Sequence, residues 1–535
     1  MFANGFFSSS QGLEDAGNYI WLLWHTSRGL PGENPIFFTD LLFYPFGASL
    51  KFDAPILNSI ISFPISHLFG PMASYNFLIL FSFLTTFWGF YLFLKYVSRS
   101  KIGGLVGALI FTFSAYRMTV FSLGQLDLLS TNWIGFTLYF IFRFFDNPKK
   151  IKNIFLSALF FNLNAYTDYR TFAIFGLFIV TLLLIKTITK FGMLKKGVLF
   201  FFLFSIIFIS PLVAINFNNA NISPRFTEVD SPRITATDLL AFVYPFKSLT
   251  SKYYSMAMPY VGVVSSILLF IYFLFIKKTN EDKKYLKIFT LLLLIFGVFS
   301  LGSEVRVFGK QVFESRFMPF VLLKNLPIFT FLRSPARFSL DVNIAISVLS
   351  AIATKSIFTR VKNKTFYNLL LTSVVFLTIT HNFLFIPKIN FNQTTKFSFL
   401  DTLQQKPNGN VLYIPFGYQD SFDQPNGIYT YNILLSQIHH QKPMVGGYLS
   451  YVNPNTLEAL HYDKFLQNLI SCQKGFVCSM AQDTDTKTTI ERYNLKYLII
   501  EKDTVNKKTI DFLSKSFKLR VLDSNKNFDI LEIVN

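Results

Sequence analysis

Residues 75–94 read YNFLILFSFLTTFWGFYLFL, an unbroken stretch without a charged side chain, and KYVSRSK closes it at 95–101. A helix needs about 20 apolar residues to cross roughly 30 Å of hydrocarbon, so this stretch predicts a transmembrane span. Further apolar runs at 102–121, 128–145, 153–167, 171–186, 197–217, 259–276, 286–302, 340–356 and 366–386 bring the expected number of spans to ten. Two of these are weaker. Asn153, Asn162 and Asn164 interrupt one and Asn343 another, which leaves half-buried or re-entrant segments as alternatives there.

The whole composition agrees with a membrane chain. Only 15% of the 535 residues are charged, 51% are hydrophobic, Phe alone supplies 68 positions and the mean hydropathy is +0.41. Ordinary soluble proteins carry about 25% charged residues, so a wholly soluble chain is excluded. A disordered chain, which needs low hydrophobicity and high charge density, is excluded too. The net charge of +20 raises the question of nucleic acid. Nucleic-acid binders gather Lys and Arg on one folded face, whereas here they fall in short loops between apolar runs, so no nucleic-acid partner is expected.

Those loops set the topology. Alternate connections carry Lys95, Arg99 and Lys101; Lys149, Lys150 and Lys152; Lys186, Lys190, Lys195 and Lys196; Lys277, Lys278, Lys283 and Lys284; and Lys355, Arg360, Lys362 and Lys364. The short loops of opposite parity, 122–127 and 168–170, hold only Arg170. Cytoplasmic loops retain positive charge, so the expected arrangement is a multi-pass plasma-membrane protein with a helical membrane domain over 75–387. Residues 1–74, the outer loops 218–258 and 303–339, and residues 388–535 lie outside the cytoplasm. Carrying 1–74 outward requires a preceding signal or span, and MFANGFFSSSQG supplies neither, so an upstream helix is expected to be missing from this chain. Residues 54–72, APILNSIISFPISHLFGPM, read as a surface-lying helix because Pro55, Pro64 and His67 disfavour a span.

From 388 onward hydrophobicity drops and strand-like runs alternate with helical ones. Val411–Pro415 and Tyr497–Glu501 read as buried strands, and 454–470 and 507–516 as helices, which together predict an extracytoplasmic α/β domain. Cys472 and Cys478 flank a Gly-containing turn and are candidates for a disulfide or for two separate thiols. His439 and His440 read as the end of a solvated helix.

Phosphate-loop, dinucleotide, HExxH and CxxC patterns are all absent, and the six histidines are too scattered to form a metal cluster. The remaining chemistry lies in acids and arginines at the outer face. Glu14 and Asp15 open an aromatic stretch, where Asp15 suits a helix N-cap or a general base; Asp53 is a second candidate carboxylate. Arg117 and Asp127 face each other across a short loop, as an ion pair or as a phosphate donor with its support. Asp168 and Arg170 pose the same choice. Arg306, Arg316, Arg333 and Arg337 place positive charge in an outer loop, where an anion would compensate it.

Taken together, EDAGNYIWLLWH (14–25), FSAYR (113–117), GQLDLLSTNW (124–133), RSPARF (333–338) and GGYLS (446–450) resemble the GT-C superfamily of polytopic membrane glycosyltransferases, in particular its YfhO-like bacterial branch. The resemblance implies transfer of a sugar, with inversion, from a polyprenyl-phosphate donor to an extracytoplasmic glycan or lipid acceptor. It matches Asp15, with Glu14 beside it, to the carboxylate of the first outer loop. Asp53 is then expected to orient, and Arg117, Arg170, Arg333 and Arg337 to contact phosphate. No cofactor is required; a divalent metal is compatible with a diphosphate donor. The competing expectation is a lipid or polymer transporter, or a non-enzymatic envelope assembly protein.

Overall fold

The computed structural model describes residues 3–534 except 33–34, 52, 190, 218–235, 245–257, 327–328, 330–331, 333, 385, 421–425 and 477–482. The membrane domain is helical. Among the described residues, seven helices are long and apolar enough to cross a membrane: Pro71–Ser98, Lys101–Ser122, Leu126–Asp146, Tyr169–Lys186, Lys196–Ala214, Pro335–Phe358 and Lys364–Leu384. The other three apolar runs are also helical. Ile151–Thr167 and Val263–Phe275 are short, at 17 and 13 residues, and Asn280–Ser300 opens on the charged stretch NEDKKYLK.

The polar residues in the weak runs do not make re-entrant segments. Asn162 donates to Ala158 O at 2.7 Å inside one continuous helix, and Asn343 donates to Ser339 O and Met258 O inside another. Donation from each amide nitrogen to a backbone carbonyl offsets part of the desolvation cost of a polar side chain in a helical bundle. Residues 54–72 contain a 14-residue helix, Ile56–Phe69, that leaves Ile60, Leu68 and Phe69 exposed, as a surface-lying helix would.

Two spans are interrupted at the same end of the bundle. Lys101–Thr112 stops at Phe113 and a new helix, Ala115–Ser122, begins because the Ser114 side chain caps it at Arg117 N. Opposite this break, Leu126–Leu129 and Ile134–Asp146 are separated by a short non-helical stretch.

The lysine-rich loops gather at the other end. Arg99 pairs with Glu281 at 2.8 Å, Lys355 with Asp282 at 3.4 Å, and the Tyr96 hydroxyl donates to Asp146 at 2.7 Å. The Lys186 ammonium lies over the rings of Phe142, Phe145 and Tyr285. Basic residues from separate loops therefore share one end of the bundle, as the alternation in the sequence requires.

The N-terminal segment and the C-terminal region are joined at the opposite end. Strand Gly5–Ser9 pairs antiparallel with Ile389–Gln393, so residues read as separate units share a sheet. Helix Leu13–Gly29 follows, almost wholly buried, and its Trp21 Nε1 donates to Gln437 Oε1 at 2.6 Å. Leu41 O accepts from Met444 N at 2.8 Å and Met444 O from Tyr44 N at 3.0 Å.

The C-terminal region is α/β. A four-stranded sheet runs in the order Leu519–Ser524, Phe528–Ile533, Leu495–Glu501, Asn410–Ile414, its last pair parallel and the others antiparallel. A parallel pair buried on both sides requires near-continuous apolar runs, which is what VLYI and YLII supply. A second sheet orders Gly447–Leu449, Gly417–Asp420 and Asn426–Gly427. The expected helix at 454–470 is two helices, Pro454–His461 and Lys464–Gln473; Asp463 caps the second by accepting from Leu466 N at 3.0 Å. Helix Asn432–His440 is not a solvated one. His440 is fully buried and its Nδ1 accepts from Lys442 N at 3.1 Å. Cys472 is buried in Lys464–Gln473, and Cys478 lies outside the described residues, as does any bond between them.

Candidate functional site

Two adjoining cavities open where the N-terminal segment, the bundle and the C-terminal region meet. One, of about 170 Å³, is walled by Lys51, Asp53 and Asp168 together with Leu22, Ile56 and Leu212. The other, of about 270 Å³, is walled by Asp15, Gln125, Arg337, Gln419 and Tyr448. Asn18, Tyr19, Asp127, Arg170 and Ser450 form a wall common to both.

The centre of that shared wall is an ion-paired triad. Arg170 holds Asp127 through Nη2 and Asp168 through Nε, the latter at 2.9 Å. Asp168 is buried and its second oxygen accepts from the Thr171 backbone and hydroxyl at 2.8 and 2.7 Å. The triad is local to the break between helices Ile151–Thr167 and Tyr169–Thr189: Asp168 is the extended residue between them, and its carboxylate caps the second. A carboxylate on each side fixes the guanidinium plane, because the planar fork matches carboxylate oxygens. The expected pairing of Arg117 with Asp127 is therefore replaced by Arg170 with Asp127.

Arg117 does something else. It is fully buried and donates to Thr112 O at 3.0 Å, Leu129 O at 2.6 Å, Thr86 Oγ1 at 3.2 Å, Ser82 Oγ at 3.3 Å and Thr131 Oγ1, with its guanidinium over the Phe83 ring. Thr112 and Leu129 end the first segments of the two interrupted spans. One side chain thus bridges the two breaks, giving Thr112 O a donor and adding a charged one to Leu129 O, which also accepts from Thr131 N and Ser82 Oγ, each at 2.8 Å. Arg117 lies on neither cavity wall, so a phosphate contact does not fit its position.

Asp15 is not an N-cap. Gly12 occupies that position, and Asp15 sits in the first turn of Leu13–Gly29, where its Oδ2 accepts from Gln125 Nε2 at 2.8 Å. Glu14 beside it is exposed and lies on neither cavity wall. Asp53 Oδ2 accepts from Ser450 N at 3.1 Å. Burial raises the Asp53 carboxyl above the ordinary aspartate range, against the Ser450 hydrogen bond and the Arg170 charge, which favour ionisation.

Arg337 differs from Arg170 in having no salt-bridge or hydrogen-bond partner for its guanidinium among the described residues, although its charge reaches Asp168 and Tyr116. It sits in the short turn Pro335–Phe338 that leads into helix Ser339–Phe358. Arg333 lies outside the described residues. Arg306 is paired with Glu304 in the hairpin Glu304–Val307/Lys310–Glu314.

The sequence reading missed Asn18, Lys51, Gln125, Gln419, Tyr448 and Tyr451, whose hydroxyl meets that of Tyr169 at 2.6 Å. The GGYLS motif carried a signal for Tyr448, which lies within it, and Tyr451 follows it directly. Among the described residues no group of three or more His, Cys, Asp or Glu side chains is placed to hold a metal ion.

No family model matches the chain, and no curated protein does. Solved structures do. The arabinofuranosyltransferase AftD from Mycobacteria superposes with a TM-score of 0.58 and 12% identity, covering 99% of this chain and 42% of AftD. The oligosaccharyltransferase of Archaeoglobus fulgidus, tethered with an acceptor peptide, gives 0.50 and 10% identity, covering 98% of this chain and 70% of its own. This chain thus spans about two-fifths of the length of AftD. The likeness is one of fold: this chain shares the GT-C-like helical architecture of both.

Proposed function

We propose that the protein transfers a sugar from a polyprenyl-phosphate-linked donor to an acceptor outside the cytoplasm. The observation that carries this reading is the joint cavity, which collects Asp15, Asp53, Asp127, Asp168, Arg170 and Arg337 at the end of the bundle remote from the lysine-rich loops. The positive-inside rule puts the lysine-rich end in the cytoplasm and the cavity outside. The finer kinship with the YfhO-like branch rests on the sequence motifs alone.

A lipid phosphate is a competent leaving group, so the reaction needs a base for the acceptor hydroxyl and a cation for the departing phosphate. In the proposed step the acceptor oxygen bonds to the anomeric carbon from the face opposite the phosphate. Its proton passes to the Asp15 carboxylate, and the carbon–oxygen bond to phosphate breaks, leaving polyprenyl phosphate and an inverted glycoside. Arg337 neutralises the phosphate. Arg170 is committed to Asp127 and Asp168 and sets the shape of the wall between the two substrates. Asp53 orients the donor and ties the C-terminal region to the site through Ser450.

The test is transfer by the purified chain in nanodiscs from a panel of polyprenyl-phosphate pentoses and hexoses, with products read by mass spectrometry. Transfer that Asp15→Asn abolishes supports the reading. Equal transfer by wild type and variant removes Asp15 as the base, and transfer from none of the donors overturns the function.

A further inference from the structure

The two halves of the cavity differ in chemistry. The half beside Asp53 is bounded by Leu22, Ile56, Leu212 and other apolar side chains. The half beside Asp15 contains one aliphatic residue, Leu128, among carboxylates, amides, arginines, a serine and two tyrosines. With Asp127 held by Arg170 and Arg337 assigned to the donor phosphate, the rest of this wall offers amide and hydroxyl groups and no further cation. An acceptor suited to it is hydrophilic and carries no negative charge, with many hydroxyl groups.

Gln419 and Tyr448 sharpen that description. They are direct partners in the parallel pair Gly417–Asp420 and Gly447–Leu449, Tyr448 opposite Gln419. Residues opposite one another in a sheet project from the same face, so the register sets an amide beside an aromatic ring, both half-buried on the cavity wall. An amide can both donate to and accept from hydroxyl groups, and the Tyr448 ring, tilted against Tyr429 with centroids 5.3 Å apart, brings a flat apolar surface. This sheet is held firmly. Gly447 has φ +143, and an added Cβ there would lie 3.1 Å from Leu42, so only glycine lets the strand come this close to the N-terminal segment.

Building on the transfer reaction proposed above, we infer that the acceptor is a neutral carbohydrate, bound in the Asp15 half of the cavity and selected by Gln419 and Tyr448 of the C-terminal region. The ring of the accepting sugar lies on Tyr448, its hydroxyls bond to Gln419, and the hydroxyl that reacts faces Asp15.

The experiment is saturation-transfer NMR on the full chain in nanodiscs, with neutral trisaccharides of arabinose, mannose and glucose as probes and short-chain phosphatidylglycerol as the lipid control. Undecaprenyl phosphate binding is measured on the same samples. Expected is saturation of at least one trisaccharide, falling about fivefold in Gln419→Ala and in Tyr448→Leu and restored in Tyr448→Phe, as loss of one net hydrogen bond or one ring contact implies. Undecaprenyl phosphate binding stays as in wild type throughout. Binding of no trisaccharide, undiminished binding in both variants, or preference for the lipid control would each overturn the inference. A wild-type chain that binds undecaprenyl phosphate but no trisaccharide loses only the carbohydrate acceptor; failure to bind undecaprenyl phosphate removes the transferase reading itself. The Tyr448→Phe rescue separates a contact with ligand from a fold defect.

Discussion

The Ser450 backbone N–H donates to Asp53 Oδ2 at 3.1 Å across 397 positions of sequence. That bond links the N-terminal segment to the chain just after the strand that brings Tyr448 to the cavity, and it does so with a carboxyl whose pKa burial raises.

Asp53 therefore makes stability depend on pH. Its folded-state pKa is raised above the unfolded value, so the folded chain binds the extra proton more tightly. Its contribution is full at acid pH below the unfolded pKa and is lost as pH rises through the folded one. Asp53→Asn, which keeps an oxygen acceptor for Ser450 N–H, is expected to remove this decline. Melting temperatures of wild type and variant in detergent, followed upward from pH 4, should diverge; parallel curves would exclude the linkage.

His440 acts in the opposite sense. Burial first, then the charges of His439 and Lys442, lowers its pKa from 6.5 to about 3. Between those values the unfolded chain binds the proton and the folded chain does not, so stability falls as pH drops below 6.5, by about 1.4 kcal/mol per pH unit at most. Protection factors in helix Asn432–His440, corrected for the intrinsic fall of exchange with pH, should drop between pH 6.5 and 5. Unchanged protection over that range would show that His440 is solvated when protonated.

Arg337→Gln removes a guanidinium that bonds to nothing else among the described residues, so melting temperature should hardly change. Donor kcat/KM should fall about tenfold or more, since a charge-assisted hydrogen bond contributes about 1.5–3 kcal/mol. A loss of stability without a kinetic effect would move Arg337 from the site to the scaffold.

Arg117→Ala should do the reverse. It leaves Thr112 O without its donor, removes one of three from Leu129 O and empties the buried space of a guanidinium, at a cost on the order of 3 kcal/mol. The expected result is a lower melting temperature and a smaller monodisperse yield, read by size-exclusion chromatography. Full stability with weakened undecaprenyl phosphate binding would restore it as a ligand group.

Membrane class, the end-to-end distribution of charge and the α/β character of the C-terminal region were legible because hydropathy and loop charge act locally along the chain. So were Asp168 and Arg170, only two positions apart and paired where a helix restarts. Arg117 was misread for a physical reason. Its partners are backbone carbonyls released by helix breaks, and nothing in FSAYR or LDLLSTNW advertises an orphaned carbonyl. Tyr448 lay inside the quoted GGYLS motif, but its pairing with Gln419 was invisible because only sheet register brings the two together.

The strand Gly5–Ser9 is made before the seven described spans, yet its partner Ile389–Gln393 follows only after them. Until then it is a bare edge. Asp53, too, waits for Ser450, so neither half of the cavity exists in a nascent chain. Completion of the cavity consequently comes late in biogenesis, and a ribosome stalled before Ser450 would leave an inserted chain whose cavity lacks one wall.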